Sequence, residues 1–115
     1  MDELDQVIEQ IRNALTEMNQ ARDQALQRSR MLIRLCAHAI RATHREDWAE
    51  AEARIAEARE EALAVVHDLQ PFPELYHSGY TQDALKEYVE AHLTYAIIRQ
   101  LPLPGPQELQ VEPAT

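Results

Sequence analysis

Glycine is almost absent from this chain, and no residue punctuates its long first stretch. Only Gly79 and Gly105 occur, and no proline precedes Pro71. Sheets and doubly wound folds need turn residues throughout, so this scarcity excludes them and leaves an all-α class. The 115 residues leave no room for a second core. One cysteine, Cys36, rules out a disulfide framework and a cysteine-rich zinc site. The longest apolar run is the five residues from Ala62 to Val66, far short of the ~20 that a bilayer span requires. The acidic start Met1-Asp2-Glu3-Leu4-Asp5 lacks the apolar stretch of a signal peptide, so a cytoplasmic location is expected, with no membrane partner. Basic charge is short as well. Eleven Lys+Arg stand against 20 Asp+Glu, a formal net charge of −9 and the opposite of the usual footprint of a nucleic-acid binder.

The abundant residues are those that form helices. Ala, Leu, Glu, Gln and Arg supply 64 of the 115 residues. Residues 2 to about 44 read as one long helix, because Leu4, Ile8, Ile11, Leu15 and Met18 recur at 4-3-4-3 spacing and keep one apolar stripe. The stripe resumes at Ala25, Leu32, Cys36, Ala39 and Ile40, with Arg22 and Ser29 interrupting its middle. His44 to Asp47 read as a turn, with Asp47 capping the next helix and Glu50 placed as in a capping box. A second helix is expected from about Trp48 to Leu69, ended by Pro71 and Pro73. Residues 71–80 form a connector, Thr81 caps a third helix reaching about Arg99, and residues 101–115 are a Pro-rich tail expected to be extended. The first helix would be about 63 Å long, nearly twice the diameter of a compact domain whose radius of gyration is about 13 Å. Its apolar N-terminal half therefore needs other chains, or further helices, to cover it.

The charge is segregated. Residues 1–45 hold seven Arg and six acidic residues, a balance of +1, whereas residues 46–115 balance at −10. From position 21 to 45 the first helix carries Arg22, Arg28, Arg30, Arg34, Arg41 and Arg45, opposed only by Asp23. Arg30, Arg34, Arg41 and Arg45 are spaced 4, 7 and 4, which places them on one face. Ion pairing with the Glu-rich second helix would use such arginines structurally. A phosphate track is the functional alternative, since guanidinium groups bind phosphate in bidentate fashion. Glu87 and Glu90, three apart on one helix, share a face and could approach a cation together. Glu74 with His77, His92, and the four tyrosines are weaker candidates, and Cys36 falls in the apolar register of the core.

Two runs resemble a known family. Arg22-Asp23-Gln24-Ala25-Leu26, with Arg28 to Arg34 and Ala39 to Arg45 after it, is similar to the first long helix of translin-family proteins. Lys86-Glu87-Tyr88-Val89-Glu90-Ala91 resembles the corresponding segment of Trax and Trax-like prokaryotic members, and Leu101-Pro102 with Glu108 to Pro113 is similar to the next segment of those proteins. The resemblance implies a long-helix antiparallel bundle that assembles into an octamer-like ring and binds single-stranded RNA or DNA. It implies that Trax-like members cleave RNA with Mg²⁺, and that Glu87 and Glu90 match two of their catalytic, metal-holding carboxylates. A third ligand, an Asp, belongs to a segment beyond Thr115, so the C-terminal helices of the family fold are expected to be missing from this chain. The readings are thus a single-stranded nucleic-acid-binding protein contacting phosphates through its arginine-rich helix, a Mg²⁺-dependent endoribonuclease subunit, or a purely structural homo-oligomer.

Overall fold

The computed structural model describes residues 2–109. They form α1 (Glu3–His44), α2 (Trp48–Asp68), α3 (Pro73–Tyr76), α4 (Gly79–Ile98) and α5 (Pro106–Leu109), with no strand among the described residues. No helix among them is long and apolar enough to cross a membrane.

α1 begins where the Asp2 carboxylate accepts the Asp5 N–H at 2.8 Å and runs unbroken for 42 residues. Its end needs no glycine. Glu46 takes a left-handed backbone (φ 62°), its N–H reaches the Thr43 carbonyl at 3.0 Å, and the Asp47 N–H reaches the Ala42 carbonyl at 2.9 Å. This is the hydrogen-bond pattern of a Schellman motif. α4 ends the same way, with Gln100 at φ 57° and the Leu101 N–H on the Ala96 carbonyl at 2.8 Å. A non-glycine residue in this conformation costs roughly 1–2 kcal/mol, yet it turns the chain sharply twice in a sequence with almost no glycine.

Asp47 then caps α2, accepting the Glu50 N–H at 3.3 Å. Only this half of the expected capping box forms, because the Glu50 carboxylate turns instead to His38 and Arg54. Arg28 meets Glu61 and Asp68, while His38 meets Glu50, so α1 and α2 are antiparallel. Glu52 near the start of α2 meets Arg99 just beyond α4, so α4 runs parallel to α1.

The core is unusually small-sided. Of its 17 buried apolar residues, nine are alanine, including Ala39, Ala58, Ala62, Ala84 and Ala91. Such side chains let three helix backbones come close around Leu32, Cys36 and Tyr88. A second cluster of Ala25, Val65, Leu69 and Leu75 closes the other end.

Two expectations change. α4 starts at Gly79 behind Ser78, two residues before the expected cap. Thr81 is fully buried within its first turn, and its hydroxyl lies 3.1 Å from that of Ser78. The tail is not extended throughout. Pro106 opens the single helical turn of α5, Leu109 is buried in the core, and the Glu108 carbonyl accepts from Arg59 Nη1 at 3.4 Å. Burial of one leucine side chain outweighs the absence of any repeating pattern there. Residues 110–115 of that tail lie outside the described residues.

The molecule measures 66 × 25 × 18 Å, with a radius of gyration of 18.0 Å. The excess over a compact domain is the front of α1. Every described residue up to position 17 is exposed, including Leu4 (66%), Ile11 (55%) and Leu15 (60%).

Candidate nucleic-acid interface

At about 100° per residue, Arg30, Arg34, Arg41 and Arg45 fall within an arc of about 60° and span about 22 Å of the α1 axis. The buried residues Leu32, Cys36 and Ala39 occupy the opposite side of the helix. All four arginines are exposed, and among the described residues none of them pairs with a carboxylate. The row makes one polar side-chain contact among the described residues, Arg34 Nη2 at 3.8 Å from Met31 Sδ. α2 and α4, which hold most of the acidic residues, pack on the other side of α1 and leave this face with unneutralised positive charge.

The other two predicted arginines lie elsewhere. Arg22 is exposed toward the edge of the packed stripe. Arg28 sits at the α1–α2 seam, its Nη1 3.2 Å from Glu61 Oε2 and its Nε 3.3 Å from Asp68 Oδ2. The salt-bridge use weighed for the whole group therefore applies to Arg28.

A second basic group stands at the end of the bundle where α1 stops. The Arg99 guanidinium carbon lies 4.8 Å from the Trp48 ring centroid and 5.6 Å from that of Tyr95. Arg99 Nη1 reaches Glu52 Oε1 at 3.3 Å and the Tyr95 hydroxyl at 2.8 Å, and that hydroxyl donates to Glu52. The Tyr95 ring meets Trp48 edge-on at 6.1 Å. Arg99 is absent from the sequence-based candidates. Its partners Trp48 and Glu52 lie about fifty positions upstream, and no local spacing connects them.

The carboxylate pair is placed as its spacing requires. Glu87 and Glu90 project from the same side of α4, Glu87 half-buried and Glu90 exposed, with Lys86 Nζ 4.0 Å from Glu90 Oε1. Among the described residues no group of three His, Cys, Asp or Glu side chains could hold a metal ion. The negative charge of Glu87 is felt inside the bundle. Burial, reinforced by that charge, pushes the Cys36 thiol up to about 12, so it stays protonated and packs as an apolar residue. His92 stacks edge-on against Tyr88 at 4.7 Å. Burial, aided by the charge of Arg59, holds its pKa below the ordinary 6.5. Its Nε2 and the Tyr88 hydroxyl are buried without a hydrogen-bond partner. Glu74 and His77 are both exposed at α3, where His77 rests edge-on against Tyr76.

An all-α hairpin of long helices, extended by a third, with a bare arginine row along its central member, defines the class of this protein. The crystal structure of apo-NeC3PO, a component of a translin/Trax-type complex, superposes on 97% of the chain with a TM-score of 0.80 at 25% sequence identity. The chain is translin-like, and it spans 57% of the length of that structure. No protein-family model matches the sequence, and no curated protein does.

Proposed function

We propose that this chain binds single-stranded nucleic acid by holding successive phosphates along the outer face of α1. The observation that supports this reading is the row Arg30, Arg34, Arg41 and Arg45, exposed and without carboxylate partners among the described residues. Four guanidinium groups at one-turn and two-turn intervals present paired donors to an anionic backbone. Such contacts give affinity without sequence preference. The translin-like fold agrees with this, and the net charge of −9 does not oppose it, because the acidic groups lie mainly on α2 and α4. Arg22 would extend the row toward the N-terminus from its flank. The exposed apolar stripe of Leu4, Ile8, Ile11 and Leu15 would be covered by further copies of the chain in a homo-oligomer.

The nuclease reading has less support. Glu87 and Glu90 would be the residues to approach Mg²⁺, which would polarise a phosphodiester and activate a water. The described residues add no third ligand, and Lys86 competes for Glu90. Binding rather than cleavage is therefore the proposed activity.

The test is fluorescence anisotropy of a labelled single-stranded oligonucleotide at low salt. The wild-type chain should bind, and a chain with all four row arginines replaced by Ala should not. Equal binding by both would remove the arginine row from the function.

A further inference from the structure

We propose that Arg99, backed by Trp48, forms a stacking platform for an unpaired nucleobase at the end of the arginine row; this rests on the phosphate-binding reading above. The guanidinium lies over the indole, 4.8 Å from its centroid, and is steadied by Glu52 and the Tyr95 hydroxyl through a single nitrogen, Nη1. One face of the guanidinium plane is thus occupied by the indole. The other looks outward, and the Arg99 side chain keeps 35% of its exposure. A planar cation fixed in this manner can accept a second π system on its free side, as guanidinium planes do with unstacked bases. Bases are planar and carry a π face whatever their identity, so the platform selects for an unpaired base without selecting its sequence.

Its place in the fold supports the assignment. α1 ends at His44, and the chain turns through Arg45, Glu46 and Asp47 into Trp48. Three peptide units separate Arg45 from Trp48, so their Cα atoms are at most about 11 Å apart. That distance lies within reach of neighbouring nucleotides on one strand. Because α4 runs parallel to α1, Arg99 comes to this same end. A strand whose phosphates track Arg30 to Arg45 would leave the row beside the Trp48–Arg99 stack. Glu52 faces the same guanidinium and would repel a phosphate placed there, which favours an uncharged base over the backbone as occupant. The apolar surface around the platform, with Ile98 and Leu101 exposed, suits the flat face of a base better than an ion. A duplex keeps its bases paired and stacked inward, so it could use the row but not the platform.

Trp48 is the single tryptophan, and its emission reports on this place alone. The experiment compares an oligothymidylate with an abasic deoxyribose-phosphate strand of equal length and charge. Binding is measured by anisotropy of end-labelled strands, and stacking by Trp48 emission with unlabelled ones. The expected result is that both strands bind, the oligothymidylate at least about fivefold more tightly, the low end of base-stacking effects, and that it alone changes Trp48 emission. In Arg99→Lys, which keeps the charge and loses the plane, the preference over the abasic strand should vanish while abasic affinity is retained. Equal affinity for the two strands in the wild-type chain, or an undiminished preference in Arg99→Lys, overturns the platform and leaves the arginine row standing. Binding of neither strand overturns both.

Discussion

Arg28 Nε lies 3.3 Å from Asp68 Oδ2, and this contact ties the middle of α1 to the last turn of α2. The guanidinium therefore serves the bundle, although its neighbours Arg30 and Arg34 face solvent. Arg28→Ala should lower stability by at most about 1 kcal/mol, since each partner is about a third exposed and such pairs are screened. It should leave oligonucleotide affinity unchanged. Thermal melting and anisotropy on the same variant check both halves, and a loss of affinity equal to that of Arg34→Ala would place Arg28 in the interface after all.

The row itself predicts a salt dependence. Four phosphate contacts to a single strand give a slope of log K against log salt near −3, about −0.7 for each contact. Arg34→Ala should flatten that slope by about 0.7 and weaken binding to all sequences alike. Titrations across a range of salt concentrations measure it, and an unchanged slope would mean that Arg34 touches no phosphate.

Much of this layout was legible in the sequence. The 4-7-4 spacing of Arg30, Arg34, Arg41 and Arg45 identifies one face because helical geometry is local and regular. Arg28 shares their residue type but not their register, and its partners Glu61 and Asp68 come from the antiparallel return of the chain. The Trp48–Arg99 stack and the burial of Leu109 were illegible for a similar reason: both depend on contacts between distant segments that no short-range pattern encodes. The helix ends at Glu46 and Gln100 were located by their flanking residues, but the left-handed conformation was not. That geometry normally advertises itself through glycine, and here glutamate and glutamine adopt it.

Tyr88 offers a test of the core. Its ring is fully buried and its hydroxyl has no partner. Tyr88→Phe removes an unsatisfied polar group at constant shape and should be neutral or stabilising by up to about 1 kcal/mol. Tyr88→Ala should cost about 3–5 kcal/mol through the cavity it leaves. Urea unfolding distinguishes the two, and a marked loss in Tyr88→Phe would show that the hydroxyl has a partner in solution.

His92 predicts a response to acid. Burial holds its folded pKa below 6.5, so below that pH the unfolded chain takes up a proton that the folded chain does not. The stability it contributes is complete above pH 6.5 and is lost as pH falls through the lowered folded value. His92→Gln should flatten the pH dependence of the urea midpoint on the acid side. An identical acid profile in both chains would mean that the imidazole is solvated.

The overhanging stripe predicts assembly. Ile8 and Ile11 are 44% and 55% exposed and touch no core cluster. Ile8→Glu with Ile11→Glu should reduce the mass found by light scattering without moving the unfolding midpoint of the dispersed chain. An unchanged mass would assign oligomer contacts to another surface.

The length of α1 also has a kinetic meaning. Its C-terminal part opens only when the bundle unfolds, because Leu32, Cys36 and Ala39 are locked into the core. The segment from Glu3 to Glu17 is a helix without buried side chains, and isolated helices of that length are marginal in water. Amide protons along one continuous helix should therefore exchange on two different clocks. Those near the N-terminus should track local fraying, while those beyond Ala25 track global unfolding, with the boundary near Met18, where burial begins. Covering the overhang with a second copy would merge the two clocks, so hydrogen exchange at increasing protein concentration would register assembly as a slowing confined to roughly the first four turns.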